Sequence, residues 1–256
     1  MESRMPPIIA TRTIREIALQ QPSSIRVFDH LGIDYCCGGN KPLAAACAEA
    51  HLDVRAVVTA LEFAAEQPPL PAPDWSKASL ELLCAHIVVK HHAYLRRELP
   101  RLADVAEKVL NRHAEAHPEL ASIHATLTRL EFDLTEHLAK EENVVFPYIV
   151  SLDRSVVRSA PTSDRDPVGC FGFLPEPVAL LCSDHGAIGD HLSQLRELSR
   201  QYTPPLSACL TYRSLYDGLR SLDADLQQHL HLEDNILFPR AVQMEAAEEV
   251  ATSHTV

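Results

Sequence analysis

The sequence predicts an all-α protein with a small helical amino-terminal domain followed by a four-helix bundle. Long stretches rich in Ala, Leu and Glu favour helix, and glycine is scarce, with 8 in 256 residues. Apolar residues recur at alternating steps of three and four over four long segments, which is typical of helices that bury one face. Four prolines within residues 68–73 separate these segments from shorter helical patterns before them.

The amino-terminal domain, residues 1–67, is predicted to consist of several short helices. Thr11 is expected to cap the first helix, and a Pro-Ser-Ser run at residues 22–24 to open the second. Asp53 is expected to cap a third helix. The turn at residues 34–40 has the sequence Asp-Tyr-Cys-Cys-Gly-Gly-Asn.

The proline-rich stretch predicts a stiff linker at residues 68–78, followed by the bundle at residues 79–246. Four long helices are expected at residues 79–111, 118–150, 175–201 and 206–244. Between the second and third, residues 151–174 are rich in Ser, Arg, Asp and Pro and predict a surface loop.

An internal repeat divides the bundle into two similar halves. Residues 137–147 and 229–239 share His, Leu, Glu, Asn, Phe and Pro at equivalent positions, 92 residues apart. The preceding helices resemble each other more weakly, at residues 82–86 and 180–185. The repeat predicts two copies of one helical hairpin, with equivalent side chains from each half.

Histidines and glutamates interrupt the apolar faces of the repeated helices. His137, Glu141, His185, His229 and Glu233 occupy helix positions otherwise filled by Leu, Ile or Val. A carboxylate buried at such a position is costly unless a cation meets it, and the same faces carry no Lys or Arg near the motif. A metal ion would supply the missing positive charge.

The His-xxx-Glu spacing places both side chains on one face of a helix. Two such pairs, with one histidine from each remaining helix, would give four imidazoles and two carboxylates. The predicted ligands are His86, His137, Glu141, His185, His229 and Glu233. If both glutamates bridge, an oxide or hydroxide would add a fifth ligand to each ion, and the donor set suits iron or manganese, with zinc still open. The alternative is that each side chain is satisfied by a hydrogen bond alone.

The remaining histidines and cysteines divide into one candidate pair and a background. Cys36 and Cys37 can form only a strained, easily reduced disulfide, so they are interpreted either as a redox or sulfur-handling pair, as a contact with a partner's iron–sulfur cluster, or as inert thiols in a turn. The other cysteines are interpreted as buried or incidental: Cys47, Cys84, Cys170, Cys182 and Cys209. Surface positions are predicted for His113, His117, His124, His191, His231 and His254.

Charge and composition exclude several classes of function. The net charge of −12 disfavours nucleic acid, whose phosphates would be repelled. The amino terminus has no apolar core of signal-peptide length, and no apolar run approaches the roughly 20 residues of a membrane-spanning helix. A cytoplasmic protein with reduced thiols is therefore expected.

The Asp-Tyr-Cys-Cys-Gly-Gly turn together with two His-xxx-Glu…Phe-Pro repeats resembles the Repair of Iron Centres family. The resemblance extends over residues 11–66 and 79–244. It implies a hemerythrin-like bundle and a non-haem di-iron centre, in which Glu141 and Glu233 bridge the two irons. The implied terminal ligands are His86, His137, His185 and His229. Cys36 and Cys37 match the paired cysteines of the family.

The resemblance also implies a role under nitric oxide and oxidative stress, in which damaged iron–sulfur proteins are repaired by delivery of iron. Two other functions remain open from the residues alone. One is a protein that binds nitric oxide or dioxygen and lowers its free concentration. The other is a redox enzyme for nitrogen oxides in which Cys36 and Cys37 relay electrons. A homodimer is compatible with each of them.

Overall fold

The computed structural model describes residues 11–35, 39–66, 74–158 and 174–253. The chain forms two compact units, Met1–Asp74 and Trp75–Val256. All regular elements of the described residues are helical, which confirms the predicted all-α class. Most of the predicted linker, together with Cys36, Cys37 and Cys170, lies outside the described residues, so the predicted domain boundaries remain predictions.

The described residues of the amino-terminal unit form four short helices. They are α1 Ile14–Gln20, α2 Ser24–Leu31, α3 Leu43–Glu49 and α4 Val54–Glu66. Their apolar faces enclose a core that includes Phe28, Tyr35 and Leu61, each 0% exposed. Burial of these large side chains is the main stabilising contribution to the unit.

Two of the predicted helix starts agree with the structure, and one is wrong. Asp53 caps α4, because its Oδ1 accepts hydrogen bonds from the amides of Arg55 at 2.7 Å and Ala56 at 3.1 Å. The cap of α1 is Thr13 and not Thr11. Thr13 accepts a hydrogen bond from the amide of Glu16, whose carboxylate accepts one from the Thr13 amide, so the pair forms a capping box.

Within residues 74–158 and 174–253, the second unit forms four long helices, three of which are interrupted by a π-helical turn. The first bundle helix comprises α5 Leu80–His86 and α6 Ala93–His113, the second α7 Glu119–Lys140 and α8 Phe146–Arg158, the third α9 Pro175–Leu198, and the fourth α10 Leu210–Leu232 and α11 Phe238–Ser253. The π-helical turns are Ile87–His92, Glu141–Val145 and Glu233–Leu237. No helix in the described ranges is long and apolar enough to cross a membrane.

The second bundle helix continues to Arg158, so the loop predicted for residues 151–174 begins too early. Leu152 is buried in the bundle core, which favours continuation of the helix. Asp153 accepts a hydrogen bond from the amide of Glu81 at 3.1 Å, and Arg154 pairs with the Glu81 carboxylate. These contacts fix the last turns of α8 against the start of α5.

The fourth bundle helix begins later than predicted, at Leu210 and not at residue 206. Arg200, Gln201 and Tyr202 have positive φ angles of 50°, 58° and 55°, so the chain makes a left-handed turn before it can enter the helix. Arg213 then donates hydrogen bonds to the carbonyls of Leu206 and Ala208, at 3.2 Å and 3.1 Å.

The π-helical turns change which residues face the core. An α-helical pattern through Glu141 predicts that Val144 and Tyr148 are buried. Because the turn at Glu141–Val145 widens the helix by one residue, Val145 and Ile149 are buried instead. The register predicted from the sequence is therefore wrong by one residue beyond Glu141.

Candidate metal centre

Six buried side chains from all four bundle helices converge at the π-helical turns. Each is at most 1% exposed. They are His92, His137, Glu141, His185, His229 and Glu233. The π-helical turn of the first bundle helix ends at His92, and those of the second and fourth begin at Glu141 and Glu233. Helix widening of this kind is frequent at functional sites.

The side chains form two groups, each able to surround one ion. The first group, site 1, contains His92 and His229, whose Nε2 atoms lie 3.1 Å apart. Oε2 of Glu141 lies 3.4 Å from the Nε2 atom of His92, and Oε1 of Glu233 lies 2.9 Å from that of His229.

The second group, site 2, has the same composition. It contains His137 and His185, whose Nε2 atoms lie 3.0 Å apart. Oε1 of Glu141 lies 3.2 Å from the Nε2 atom of His137, and Oε2 of Glu233 lies 3.4 Å from that of His185. Each glutamate therefore directs one oxygen towards site 1 and the other towards site 2.

The donor atoms fit metal ions better than they fit one another. Both oxygens of Glu141 and Oε2 of Glu233 are buried without a hydrogen bond of acceptable geometry from the described residues. Such unsatisfied carboxylates are costly in a protein interior. Two imidazoles that bind one ion at about 2.1 Å and at right angles have their nitrogens about 3 Å apart, as in both pairs.

The electrostatics of the glutamate pair point the same way. Burial and the charge of Glu141 both raise the pKa of Glu233. Burial also acts to raise the pKa of Glu141, but the neighbouring imidazoles, above all that of His137, outweigh it and lower this pKa. Without a metal, the two carboxyl groups therefore do not ionise equally, because two negative charges this close repel each other. A bound cation would relieve that repulsion.

The pKa values of the histidines also differ between the two sites. Burial lowers the pKa of His229 to about 3, so its ring is neutral and ready to bind a metal. Burial acts in the same direction on His185, but Asp234 reverses the effect and raises the pKa of His185 to about 9. A metal at site 2 would have to displace that proton.

The residue that follows each glutamate holds a histidine from the other helix of the same half of the bundle. Glu142 Oε1 lies 2.6 Å from Nδ1 of His92, and Asp234 Oδ1 lies 2.8 Å from Nδ1 of His185. Such carboxylates orient a ligating imidazole and leave its Nε2 atom directed at the metal. These carboxylates reproduce the internal repeat of the sequence.

The repeated Phe-Pro also has a role in this arrangement. The ring of Phe146 stacks on His92 with ring centres 5.7 Å apart, and that of Phe238 stacks on His185 at 6.1 Å. Each phenylalanine covers an imidazole from the other helix of its own half and adds an apolar surface beside the centre.

His86 does not belong to this centre, which corrects one of the six predicted ligands. His86 is only half-buried, and its ring packs against Trp75 with centres 4.2 Å apart. The apolar face of α5 leads to Ile87, and the π-helical turn then makes a five-residue step to His92. The sequence prediction assumed steps of three and four and therefore chose the wrong histidine.

The internal repeat contained a signal for His92. The two repeated histidines, His137 and His229, are 92 residues apart, and His92 and His185 are 93 residues apart. His86 and His185 are 99 residues apart, which does not fit the repeat. The spacing between the halves is thus a better guide than the apolar pattern where a helix is widened.

The structure also differs from the burial predicted for other histidines. His231 is 3% exposed, and its Nδ1 lies 2.8 Å from the side-chain nitrogen Nδ2 of Asn235, so the predicted surface position is wrong. Four further histidines predicted at the surface are half-buried: His113, His117, His124 and His191. His254 lies outside the described residues.

The cysteines divide between buried and accessible positions. Cys47 and Cys84 are buried, and burial raises the pKa of both thiols. Cys182 is exposed and lies 3.3 Å from Oδ1 of Asp234, and the half-buried Cys209 lies 3.3 Å from Nε2 of His113. The structure offers no test of Cys36 and Cys37, which lie outside the described residues.

Comparison with known proteins agrees with this architecture. Residues 10–65 match the ScdA amino-terminal domain, described as a domain of unknown function (DUF542), and residues 84–241 match the hemerythrin HHE cation-binding domain. The chain is 34% identical over 227 residues to the iron–sulfur cluster repair protein YtfE of Escherichia coli O157:H7, which covers 89% of this chain and 94% of that protein. The YtfE proteins of Citrobacter koseri and Shigella boydii serotype 4 match equally well.

The chain belongs to the Repair of Iron Centres family. Its hemerythrin-type domain implies iron binding, and the His/Glu cluster is where a metal could be held. The chain matches both domains of this family, and the match to YtfE extends over nearly its whole length.

Proposed function

We propose that this protein repairs iron–sulfur clusters damaged by nitric oxide or oxidative stress, and that it does so by supplying iron held as a pair at sites 1 and 2. Nitric oxide and dioxygen are the small ligands expected at this centre. The observation that carries the proposal is the placement of Glu141 and Glu233, each with one oxygen towards each site. The YtfE proteins, which are named as iron–sulfur cluster repair proteins, support the choice of activity.

In this proposal Glu141 and Glu233 would each supply one carboxylate oxygen to each ion, and an oxide or hydroxide would be a further ligand. His92 and His229 would hold the ion at site 1, while His137 and His185 would hold the ion at site 2. The iron would supply Lewis acidity at the centre and would also be the cargo that is delivered. The protein positions the four imidazoles, keeps the carboxylates free of other cations and excludes water through the stacked phenylalanines.

Cys36 and Cys37 are proposed to act where iron meets the damaged cluster, either by relaying electrons or by contacting the cluster. Thiolates are suitable ligands for such a transient contact. The double variant Cys36→Ala/Cys37→Ala should therefore bind iron normally and deliver it more slowly.

The proposal is tested by transfer of isotopically labelled iron to a protein whose iron–sulfur cluster has been damaged by nitric oxide. A chelator that traps free iron is present throughout. Wild-type protein should restore the cluster with labelled iron. Glu141→Gln and Glu233→Gln should bind little iron and restore nothing, because each variant removes a charged ligand from both sites.

Asp133→Asn is a matched control, since Asp133 is a helix carboxylate that pairs with Arg129 and His191 and not with the centre. It should transfer iron like the wild type. Equal restoration by an iron-free glutamate variant would refute the proposal.

A further inference from the structure

The two sites differ in the partners of their histidine Nδ1 atoms, the ring nitrogens that face away from the site. At site 2 both imidazoles have a carboxylate at the outer nitrogen. Nδ1 of His185 lies 2.8 Å from Oδ1 of Asp234, and Nδ1 of His137 lies at the longer distance of 3.5 Å from Oδ2 of Asp184, which also accepts a hydrogen bond from Lys140 at 2.8 Å. Both carboxylates are only partly buried.

At site 1 only one imidazole is held in this way. Nδ1 of His92 lies 2.6 Å from Glu142. Nδ1 of His229 is buried and has no hydrogen-bond partner among the described residues. The outer side of the His229 ring is therefore positioned by packing, and only its Nε2 atom has polar neighbours.

The difference has its origin in one position of the repeat. Asp184 directly precedes His185, and at the equivalent place His91 directly precedes His92. His91 stacks in parallel on His229, with ring centres 5.5 Å apart and planes at 8°. His91 therefore offers His229 the face of a ring, whereas Asp184 offers His137 a carboxylate oxygen. Its own Nδ1 lies 3.1 Å from Asp225.

A carboxylate behind a ligating imidazole fixes its orientation and tautomer and makes it a better donor. Loss of such a partner typically lowers metal affinity by about 10- to 100-fold. We infer that the ion at site 1 is the one released first, and that Asp184 and Asp234 are positioning residues that retain the ion at site 2.

This inference rests on the proposed function in taking iron as cargo, but it concerns only the order of release. In that order, His229 would let go of its ion while Glu141 and Glu233 continue to hold the other. The centre would then deliver one ion readily and retain the second.

The test uses full-length protein loaded with ferrous iron and mixed with an excess of a colorimetric ferrous chelator. Release should occur in two phases of equal amplitude. Because two ions that share carboxylates can leave one after the other even from a symmetric centre, the variants decide the assignment. Asp234→Asn should accelerate the slow phase by about 10-fold or more and leave the fast phase unchanged.

The converse variant adds a carboxylate behind His229. His91→Asp combined with Asp225→Asn reproduces the arrangement of Asp184 and avoids two adjacent buried acids. It should slow the fast phase towards the rate of the slow one. Circular dichroism would show that the helical fold is retained, and Asp234→Asn decides the question if this variant does not fold.

Asp133→Asn again serves as the control for removal of a helix carboxylate, and it should leave both phases unchanged. Acceleration of the fast phase by Asp234→Asn would show that site 2 empties first and would overturn the inference. So would the absence of any effect of Asp234→Asn on either phase. The release assay contains no damaged cluster, so it tests the order of release separately from transfer. The order of release can fail while transfer to damaged clusters succeeds, and the reverse.

Discussion

At the scale of single residues, the chemistry of Glu141 and Glu233 depends on the histidines around them, because both carboxylates are fully buried. Among the described residues, the atoms that face them across the centre are imidazole nitrogens and not the cationic groups of lysine or arginine. A buried carboxylate with such neighbours is destabilising until a metal binds. Folding energy is therefore given up to create the site, which is typical of functional residues.

One prediction distinguishes the role of His92 from that of His86. His92→Ala should lower iron affinity by more than the roughly 10- to 100-fold that follows loss of an outer partner, because it removes a ligand itself. His86→Ala should leave the iron content unchanged, since His86 packs on Trp75 away from the centre. Iron per chain, measured on both purified variants, distinguishes the two histidines. Loss of iron only in His86→Ala would contradict the structural assignment.

At the scale of the helices, the π-helical turns position the candidate ligands, and close packing between helices keeps the turns in register. Gly218 in α10 illustrates how close that packing is. A Cβ atom at this position would lie 2.4 Å from Cδ2 of Leu102, which is itself fully buried. At Gly186 in α9, no atom of the described residues beyond the neighbouring backbone of its own helix lies within 4 Å of the equivalent position.

These two glycines give a matched pair of substitutions. Gly186→Ala should raise the free energy of unfolding by about 0.5–1 kcal/mol, because alanine favours helix without a steric cost. Gly218→Ala should lose that gain, since displacing a packed leucine costs about 1–3 kcal/mol. Denaturant unfolding of both variants measures the difference. Equal stabilisation would mean that Leu102 moves aside freely.

At the scale of the whole molecule, the bundle unit contains its own core and its own centre. Its start is fixed by Arg240, which donates hydrogen bonds to the carbonyls of Trp75 at 2.8 Å and Ala78 at 2.7 Å. These contacts join the segment before the first bundle helix to α11.

A fragment of residues 74–256 should therefore fold and bind as much iron per chain as the full protein. A fragment that starts at residue 79 loses both carbonyl partners of Arg240 and should be less stable by about 1–3 kcal/mol. Thermal unfolding and iron content measure both effects. A fragment of residues 74–256 that folds but binds no iron would show that the amino-terminal unit is needed to complete the centre.

The sequence by itself determined the all-α class, the repeated halves of the bundle and the His-xxx-Glu pairs, because these follow from composition and from regular spacing. Only the tertiary structure decided which histidine of the first bundle helix joins the centre, and which outer nitrogens have partners. A π-helical turn adds one residue to a helix without a composition of its own, so the apolar pattern did not reveal it. The partner of an imidazole depends on a side chain from another helix, and that distance is set when the helices pack together.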